Sequence, residues 1–278
     1  MIFLIEEKAY AKVNIMLRVT GITAQNYHNL ETIMAPIDLY DTLTFEKRDD
    51  DYFIVDGLDI DNNSIIKTAL LFQEKYHIKG ANIKINKVIP IGAGLGGGSA
   101  DSAATLRGLN RLYDLNIPLN ELEEIANQVG SDNAFCLYNQ AAICYGRGND
   151  IHFLNFDFEL QALLIMPKMK FYTKEVFNMW RMSYLQFVLD DIIAALKNED
   201  YDALNKQIFN DLLEPVKMQH NEIVHALNIA ESFGYHLHMS GSGSSFFILS
   251  PDLAYLEKAK TEVDAGVSTK IVKIKSKM

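Results

Sequence analysis

A glycine-rich segment, residues 90–104, restricts what this chain can fold into more than any other feature. It reads Pro-Ile-Gly-Ala-Gly-Leu-Gly-Gly-Gly-Ser-Ala-Asp-Ser-Ala-Ala. The residues before it, 81–91, alternate between polar and apolar, which predicts a half-buried strand, and apolar residues at helical spacing follow Ser99. Glycine lets a backbone approach a ligand closely, and a helix N-terminus attracts anions. The segment is therefore predicted to bind the phosphate groups of a nucleotide.

Two common nucleotide-binding folds are disfavoured by the same residues. The glycines match the pattern G-x-G-x-x-G, but a dinucleotide fold needs a buried apolar strand before it, and this strand contains Lys84 and Lys87. The lysine that follows the glycines of a Walker loop is absent. A glycine-rich turn that only packs against another element is the structural alternative. So many glycines cost conformational entropy, which favours the phosphate loop over a plain connector.

Length and charge narrow the class of protein. The 278 residues fit two modest domains or one large one, and 49% hydrophobic with 22% charged residues predict a folded chain. Because no apolar run reaches membrane-spanning length and acidic residues follow the start closely, we expect no membrane partner and a cytoplasmic location. A net charge of -10 disfavours nucleic acid as a partner. The oligomeric state is not predicted.

The spacing of the candidate residues disfavours both a metal site and a disulfide. Residues 59–63 begin like a calcium loop, but Ser64 and Leu70 stand where glycine and glutamate are needed, so a solvated turn is expected. The two cysteines, Cys136 and Cys144, lack metal-ligand spacing and are predicted to be reduced core residues. The acidic run at 49–51 is predicted to form a hairpin tip.

The element pattern predicts two parts, residues 1–155 and 156–278. In the first part, predicted strands (9–20, 41–46, 82–89, 141–145) alternate with predicted helices (64–76, 99–113, 119–129). In the second, strands at 160–166, 235–239, 245–249 and 269–274 accompany helices at 187–196, 201–212, 223–233 and after Pro251, with Gly234 ending the third. The expected fold is α/β followed by α+β.

A second glycine-rich loop, residues 239–247, reads Met-Ser-Gly-Ser-Gly-Ser-Ser-Phe-Phe and lies between two strand-like runs. It is either a hairpin turn of unusual composition or a loop that closes over the same ligand. The pattern alone leaves both open.

Five motifs, taken together and in this order, resemble those of one family. They are Ala11-Lys-Val-Asn14, Tyr27-His-Asn-Leu30, the loop 90–104, Gly130-Ser-Asp132 and Met239-Ser-Gly-Ser-Gly243. The chain resembles, through nearly its whole length, the GHMP kinases (galactokinase, homoserine kinase, mevalonate kinase and phosphomevalonate kinase). The resemblance implies an α+β two-domain fold. Its N-terminal α/β domain contains a left-handed βαβ unit and its C-terminal domain is ferredoxin-like, with the active site in the cleft.

The resemblance also implies a reaction, transfer of the γ-phosphoryl group of ATP to an alcohol. In the family an aspartate takes the hydroxyl proton while a lysine holds that aspartate and the developing charge; these roles fall on Asp132 and Lys12. Two purely structural interpretations are the alternatives to these catalytic roles. Asp132 would cap a helix that begins near Asn133, and Lys12 would be an exposed strand residue.

The remaining site residues are carried over from the family's motifs. ATP is expected to contact Asn63, Lys67, Pro90, Gly92, Gly94, Leu95, Gly96, Gly97, Gly98, Ser99 and Ala100. Ser99 is expected to cap the helix and to face the magnesium ion that accompanies ATP. The family branch that this chain resembles acts in isoprenoid precursor synthesis and phosphorylates the 2-hydroxyl of a cytidine diphosphate-linked methylerythritol. Its acceptor contacts fall on Asn14, Tyr27, His28, Phe177, Gly241 and Gly243.

The chain departs from the family's pattern at several positions. Gln25-Asn26 replaces Asp-Gly, the stretch 133–136 reads Asn-Ala-Phe-Cys instead of Val-Pro-Phe-Phe, Asn139-Gln140 replaces Gly-Gly, and Asn149 replaces Glu. These changes leave the lysine, the aspartate and both glycine loops intact. There are therefore two alternatives. One is a GHMP kinase with another alcohol acceptor, and the other is a nucleotide-binding regulator with little turnover.

Overall fold

A computed structural model describes residues 4–25, 27–58, 63–181, 188–263 and 267–278. The strands are β1 (Leu4–Ile22), β2 (His28–Lys47), β3 (Ile54–Asp56), β4 (Ala81–Asn86), β5 (Ala142–Gly146), β6 (Asp150–Phe153), β7 (Glu159–Met166), β8 (His238–Met239), β9 (Phe246–Leu249) and β10 (Ser268–Lys275). The helices are α1 (Ser64–Tyr76), α2 (Gly97–Leu112), α3 (Leu119–Val129), α4 (Asn133–Tyr138), α5 (Thr173–Met179), α6 (Leu189–Lys197), α7 (Tyr201–Gln207), α8 (Leu213–Gln219), α9 (Asn221–Ser232) and α10 (Leu253–Val263).

The chain forms two compact units that interleave along the sequence. The first comprises Met1–Lys12, Leu39–Ile91 and Gly96–Asn139, and the second comprises Val13–Asp38, Gly92–Leu95 and Gln140–Met278. Strands β1 and β2 pair with each other, and each contributes residues to both units. The sequence-based boundary after residue 155 stays a prediction.

In the first unit, β4 lies between two partners. It pairs antiparallel with β2 from Thr42↔Asn86 to Lys47↔Ala81, and parallel with β3 from Ile54↔Asn82 to Asp56↔Lys84. The segment β3–α1–β4 is therefore a βαβ unit with parallel strands. The acidic run at 49–51 joins β2 to β3, and because β4 lies between these strands the predicted hairpin tip is wrong.

Helix α2 packs closely on the strands of the first unit. Its buried face carries small residues, and a Cβ atom on Gly108 would lie 2.3 Å from the ring of Phe45, which is itself fully buried in β2. The absence of a side chain at this position lets the helix approach the sheet. This packing fixes the position of the N-terminus of α2, where the glycine-rich loop ends.

In the second unit, β7 is the central strand. It pairs antiparallel with β10 along its whole length, from Glu159↔Lys275 to Met166↔Ser268, and with β9, which pairs with β8. Strand β10 also meets β2 at Ile274↔Ile37, and β5 pairs with β2 and β6. A buried apolar cluster in this unit includes Leu163, Ile165, Leu212, Ile248 and Leu256. Burial of such side chains is the main favourable term for the unit.

Several helix boundaries differ from the sequence-based ones. The helix predicted at 201–212 ends at Gln207, because residues 209–211 run extended beside β1: Leu17 N donates to Phe209 O at 3.1 Å, and Asp211 N donates to Leu17 O at 2.9 Å. A separate helix, α8, follows. Gly234, with φ +80°, ends α9 as predicted. Phe187, the predicted start of α6, and residues 59–62 of the predicted turn lie outside the described residues.

Helix α2 begins two residues earlier than predicted. Its first helical residue is Gly97 and its N-cap is Gly96, so Ser99 is not the cap but part of the first turn. Both cysteines are buried, as predicted, and burial raises the pKa of the Cys136 thiol to about 12. None of the helices in the described ranges is both long and apolar enough to cross a bilayer.

Candidate active site

An ion pair between a buried lysine and a partly exposed aspartate lies at the centre of the candidate site in the first unit. The Lys12 side chain is 5% exposed, and its Nζ lies 3.3 Å from Asp132 Oδ2. Asp132 immediately precedes α4, yet its side chain makes no capping hydrogen bond. Lys12 is thus not an exposed strand residue, and Asp132 occupies the N-cap position of α4 without capping the helix through its side chain. The side chains meet across 120 positions of sequence.

The end of the glycine-rich loop lies against this ion pair. Gly96 has φ +69°, and the first intrahelical bond of α2 runs from Ala100 N to Gly96 O at 2.8 Å. The N–H groups of residues 97–99 therefore have no acceptor within the helix. A Cβ atom on Gly96 would lie 3.0 Å from Lys12 Cγ and 3.1 Å from its Cε. An ammonium, a carboxylate and a helix N-terminus are brought together, which suits an anionic ligand beside a proton acceptor.

The earlier part of the loop, residues 92–95, packs in the second unit on the second glycine-rich loop. Gly94 has φ +77°, and a Cβ atom there would lie 2.5 Å from Ser240 O and 2.7 Å from Gly243 O. Ser240 Oγ donates to Gly94 O at 3.0 Å and accepts from Asn14 N at 3.1 Å. The sequence did not predict a role for Ser240, although Ser240 lies inside the motif at residues 239–243. Gly241 O accepts a bond from Asn210 Nδ2 at 2.8 Å.

A charged cluster ties together the two ends of the glycine-rich loop. Lys87 Nζ lies 2.6 Å from Asp41 Oδ2 and 2.7 Å from Asp101 Oδ2. Asp41 is fully buried and accepts hydrogen bonds from the backbone N–H groups of Val88 and Ile89, just before the loop, while Asp101 lies in α2, just after it. Burial raises the pKa of Asp101 to about 7, since two carboxylates share one ammonium in a site with little water.

This raised pKa predicts a dependence of stability on pH. Between the ordinary value of 3.8 and about 7, the folded protein binds more protons at Asp101 than the unfolded chain does. The free energy of unfolding should therefore fall as pH rises through this range, because the carboxyl is protonated there only in the folded state. Asp101→Asn removes this contribution, so the stability of the variant relative to wild type should increase between pH 5 and pH 8.

Urea denaturation at pH 5, 6.5 and 8 measures this trend. Asp56→Asn, which removes an exposed carboxylate of β3 in the same unit, is the matched control. A stability difference between Asp101→Asn and wild type that is the same at all three pH values contradicts the prediction.

A buried chain of polar side chains links α1, α2 and α4. Thr68 Oγ1 and Ser102 Oγ share a hydrogen bond of 2.6 Å, and Asn133 Nδ2 donates to Ser102 Oγ at 2.8 Å. All three residues are at most 2% exposed. Asn133 is one of the departures from the family's pattern and directly follows Asp132. Because its amide is hydrogen-bonded, the departure does not leave a buried polar group without a partner.

The two residues predicted for the adenine pocket hold the start of α1. Asn63 Oδ1 accepts a bond from Ile66 N at 3.0 Å and so caps the helix. Lys67 Nζ lies 3.4 Å and 3.5 Å from the last carbonyl oxygens of α3, those of Gln128 and Val129. Ser64 Oγ donates to Gly98 O at 2.8 Å, which places this helix start beside the start of α2. A role in binding adenine stays a prediction.

Aromatic side chains group together in the second unit. The ring of His28 lies 4.9 Å from that of Phe177 and meets Trp180 edge-on at 5.9 Å. Burial lowers the pKa of His28, which favours the neutral imidazole. Tyr27 is half exposed, and the Arg147 guanidinium lies 4.0 Å from its ring centroid.

Of the predicted acceptor residues, His28 and Phe177 are brought into contact, whereas Tyr27 faces Arg147. Asn14 donates from Nδ2 to Thr32 Oγ1 at 2.9 Å. Sequence reasoning missed Trp180 and Arg147. Trp180 is the one tryptophan of the chain and lies three residues after Phe177, a spacing that could have identified it.

Comparison with known proteins agrees with this architecture. The sequence matches the GHMP kinases N terminal domain over residues 63–147 and the GHMP kinases C terminal domain over residues 192–268. A Staphylococcus aureus protein named "Putative 4-diphosphocytidyl-2-C-methyl-D-erythritol kinase" is 37% identical over 259 residues, which cover 89% of this chain and 90% of that protein.

Solved structures extend the likeness to the fold. The crystal structure of a 4-(cytidine 5'-diphospho)-2C-methyl-D-erythritol kinase has a TM-score of 0.85 at 28% identity, covering 97% of this chain and 99% of its own. A homoserine kinase from Cytophaga hutchinsonii, at 18% identity, shares the fold with a TM-score of 0.73 over 99% of this chain and 96% of its own. With both family domains matched and a relative at this identity along most of its length, the chain belongs to the GHMP kinases.

Proposed function

We propose that this protein transfers the γ-phosphoryl group of ATP to the 2-hydroxyl of 4-diphosphocytidyl-2-C-methyl-D-erythritol, a step in isoprenoid precursor synthesis in the cytoplasm. The observation that carries the proposal is the Lys12–Asp132 ion pair, 3.3 Å apart, whose buried lysine lies against Gly96, the N-cap of α2. The names of the Staphylococcus aureus relative and of the solved kinase support this acceptor.

The N-terminus of α2 binds the phosphates in this mechanism. The N–H groups of Gly97, Gly98 and Ser99 donate to phosphate oxygens, and the helix dipole favours their negative charge. The geometry of the loop provides this without a lysine inside it. Such preorganised donors stabilise charge that develops in the transition state and need no rearrangement at the moment of reaction.

The ion pair supplies the remaining chemistry. The acceptor oxygen forms a bond to the γ-phosphorus while the bond from that phosphorus to the β–γ bridging oxygen breaks, and ADP leaves. The proton of the acceptor hydroxyl passes to the Asp132 carboxylate. Lys12 holds that carboxylate in place and offsets the charge that accumulates on the phosphoryl oxygens. Burying an ammonium is costly unless it is paired with an opposite charge. A nucleotide-binding regulator would not need such a pair, because it transfers no proton.

Magnesium fits this site as a partner of ATP and not as a metal held by the protein alone. Within the described ranges, no three His, Cys, Asp or Glu side chains are grouped so that they could hold a metal ion. Mg²⁺ is commonly held by phosphate oxygens, water and one or two protein oxygens. Ser99, half-buried in the first turn of α2, would supply such a hydroxyl. When bound, the ion would neutralise negative charge on the phosphates of ATP.

The aromatic group of the second unit suits the cytosine base of the acceptor. An imidazole and two aromatic rings, those of His28, Phe177 and Tyr27, offer stacking surfaces and a hydrogen-bonding edge for a pyrimidine. The lowered pKa of His28 leaves one ring nitrogen free to accept a hydrogen bond. We expect Asn14, Gly241 and Gly243 to contact the rest of the acceptor.

The proposal is tested by incubating the full chain with ATP, Mg²⁺ and the cytidine acceptor, and following ADP with a coupled assay. Homoserine and mevalonate in place of the cytidine acceptor test the other alcohols of this superfamily. Turnover with one of these and none with the cytidine acceptor would replace the proposed substrate. ATP binding without turnover on any of the three would favour a regulator.

Replacing Tyr27 by Ala separates the acceptor from the nucleotide. Loss of one stacking face for a base costs about 1–3 kcal/mol, so the KM for the acceptor should rise by about 5-fold to 150-fold while the KM for ATP stays within about twofold. Tyr52→Ala, which removes a tyrosine 73% exposed in the first unit, is the matched control. An equal rise of both KM values in Tyr27→Ala contradicts the assignment of this residue to the acceptor.

A further inference from the structure

One arginine of helix α2 contacts both elements that carry the ion pair. The Arg107 side chain is 15% exposed. Its Nη1 donates to the carbonyl oxygens of Cys136 at 3.0 Å and Leu137 at 3.2 Å. Its Nη2 donates to Lys8 O at 2.8 Å, and its Nε lies 3.1 Å from Glu7 Oε2. A single guanidinium thus joins α2, α4 and β1.

The first set of contacts fixes the helix that follows Asp132. Helix α4 has six residues, too few to be stable by itself. Its last carbonyl oxygens receive no hydrogen bond from an N–H group of the same helix. Arg107 supplies donors to two of them. Cys136 N in turn donates to Asp132 O at 3.0 Å, so the segment held by the arginine is one turn from the carboxylate.

The second set of contacts fixes the strand that carries Lys12. Glu7 and Lys8 precede Lys12 by five and four residues in the continuous strand β1. Because a strand is an extended, nearly rigid segment, holding α4 against residues 7–8 restricts the movement of Asp132 relative to Lys12. The contact with Glu7 is charge-assisted, and a guanidinium bonds in a planar fork that an ammonium does not reproduce.

We infer that Arg107 is a positioning residue that sets the separation between the Lys12 ammonium and the Asp132 carboxylate. The inference rests on the proposed function for its kinetic consequence, but not for its structural one. A catalytic carboxylate displaced by about 1 Å loses up to roughly a hundredfold in rate. The phosphate-binding end of α2 lies ten residues before Arg107, so nucleotide binding should be unaffected.

Helix α2 also provides a matched control. Arg111 lies one turn after Arg107 and is 57% exposed. It donates to Glu6 O at 3.2 Å and pairs with the carboxylate of Glu7, so within the described residues its contacts reach β1 but not α4. Comparing the two arginines separates the link to α4 from the contact with β1 and from the loss of a positive charge.

The test uses the full chain with Arg107→Met, Arg107→Lys and Arg111→Met. Arg107→Met should lower kcat by about tenfold to a hundredfold while the dissociation constant for ATP, measured by calorimetry, stays within about twofold. Arg107→Lys should recover only part of kcat, and Arg111→Met should keep the wild-type value. A crystal structure of Arg107→Met should show Lys12 Nζ more than 4 Å from the Asp132 carboxylate.

The two failures are distinguishable. If wild type does not phosphorylate any acceptor, the proposed function fails, and the structure of Arg107→Met still decides the separation of the pair. The inference is overturned if Arg107→Met keeps kcat or keeps the 3.3 Å separation, if Arg111→Met loses as much activity, or if ATP affinity falls in parallel with kcat. Should Arg107→Met not fold, the same readouts on Arg107→Lys decide between these outcomes.

Discussion

Replacing Asp132 by Asn is expected to lower kcat by about 10²–10⁴-fold, the range typical of a lost general base. Asn has nearly the same shape and keeps α4 in place, but its amide does not accept the hydroxyl proton. In the proposed mechanism backbone N–H groups of α2 hold the phosphates and this side chain does not, so the dissociation constant for ATP should change by less than about threefold. Single-turnover kinetics with the cytidine acceptor and calorimetry with ATP give the two quantities.

Lys12→Met supplies the companion measurement. Since the two side chains form one ion pair, their losses should not add: the double variant should be little slower than Asp132→Asn alone. Losses that multiply in the double variant would show that the two residues act independently. An Asp132→Asn enzyme that keeps more than a tenth of wild-type kcat removes the aspartate from the mechanism.

Replacing Gly94 by Ala is expected to lower kcat/KM for ATP by about a hundredfold. A Cβ atom at this position would lie 2.5 Å from Ser240 O and 2.7 Å from Gly243 O, distances that backbone atoms do not tolerate. The residue also has φ +77°, which an L side chain rarely adopts. The loop must therefore shift, and under the proposed function, in which this loop binds phosphate, a displacement of its backbone by about 1 Å is costly to the reaction.

Gly92→Ala is the control for the backbone conformation. Gly92 has φ +75°, close to that of Gly94, but the nearest atom to an added Cβ is a side-chain carbon of Lys170 at 3.7 Å. Both variants carry the same conformational strain, and only Gly94→Ala adds the collision. We expect Gly92→Ala to lose much less of kcat/KM, measured in the same coupled assay. Equal losses would assign the effect to strain alone and would contradict the packing argument.

The strand, loop and helix around residues 81–113 could be predicted from the residues alone. Period-two alternation, a dense run of glycines and apolar residues at helical spacing are local signals, and each depends on neighbours within a few positions. The ends of the helix were less accurate. Ser99 is a good N-cap residue in isolation, yet Gly96, three residues earlier, takes that place because its φ of +69° lets the chain enter the helix there.

Other errors have the same origin in contacts that are distant in sequence. Residues 209–211 leave their predicted helix because the backbone of Leu17, nearly two hundred residues earlier, offers hydrogen bonds to an extended chain. The acidic run at 49–51 is polar and turn-like, and nothing nearby indicates that β4 separates the strands on either side of it. Tertiary pairing overrides local preference at these positions.

The roles of Lys12 and Asp132 came from a resemblance and not from any local pattern. Taken by themselves, a lysine in a strand and an aspartate before a helix favour the exposed and capping interpretations. The structure replaces both with one ion pair, in which the lysine is buried. Arg107 gave no signal, because its importance lies in the four groups that it reaches and none of these is near it in sequence.

The sequence by itself determined that a glycine-rich backbone meets a helix start, because chain flexibility and helical periodicity are encoded by adjacent residues. It also determined family membership, since five motifs in order identify GHMP kinases. The pairing of Lys12 with Asp132 followed from the family resemblance, whereas only the tertiary structure decided that Lys87 bridges Asp41 and Asp101 and that Arg107 holds α4 to β1. The physical reason is that the interaction of two charges depends on their separation and burial in the folded protein, and sequence spacing sets neither.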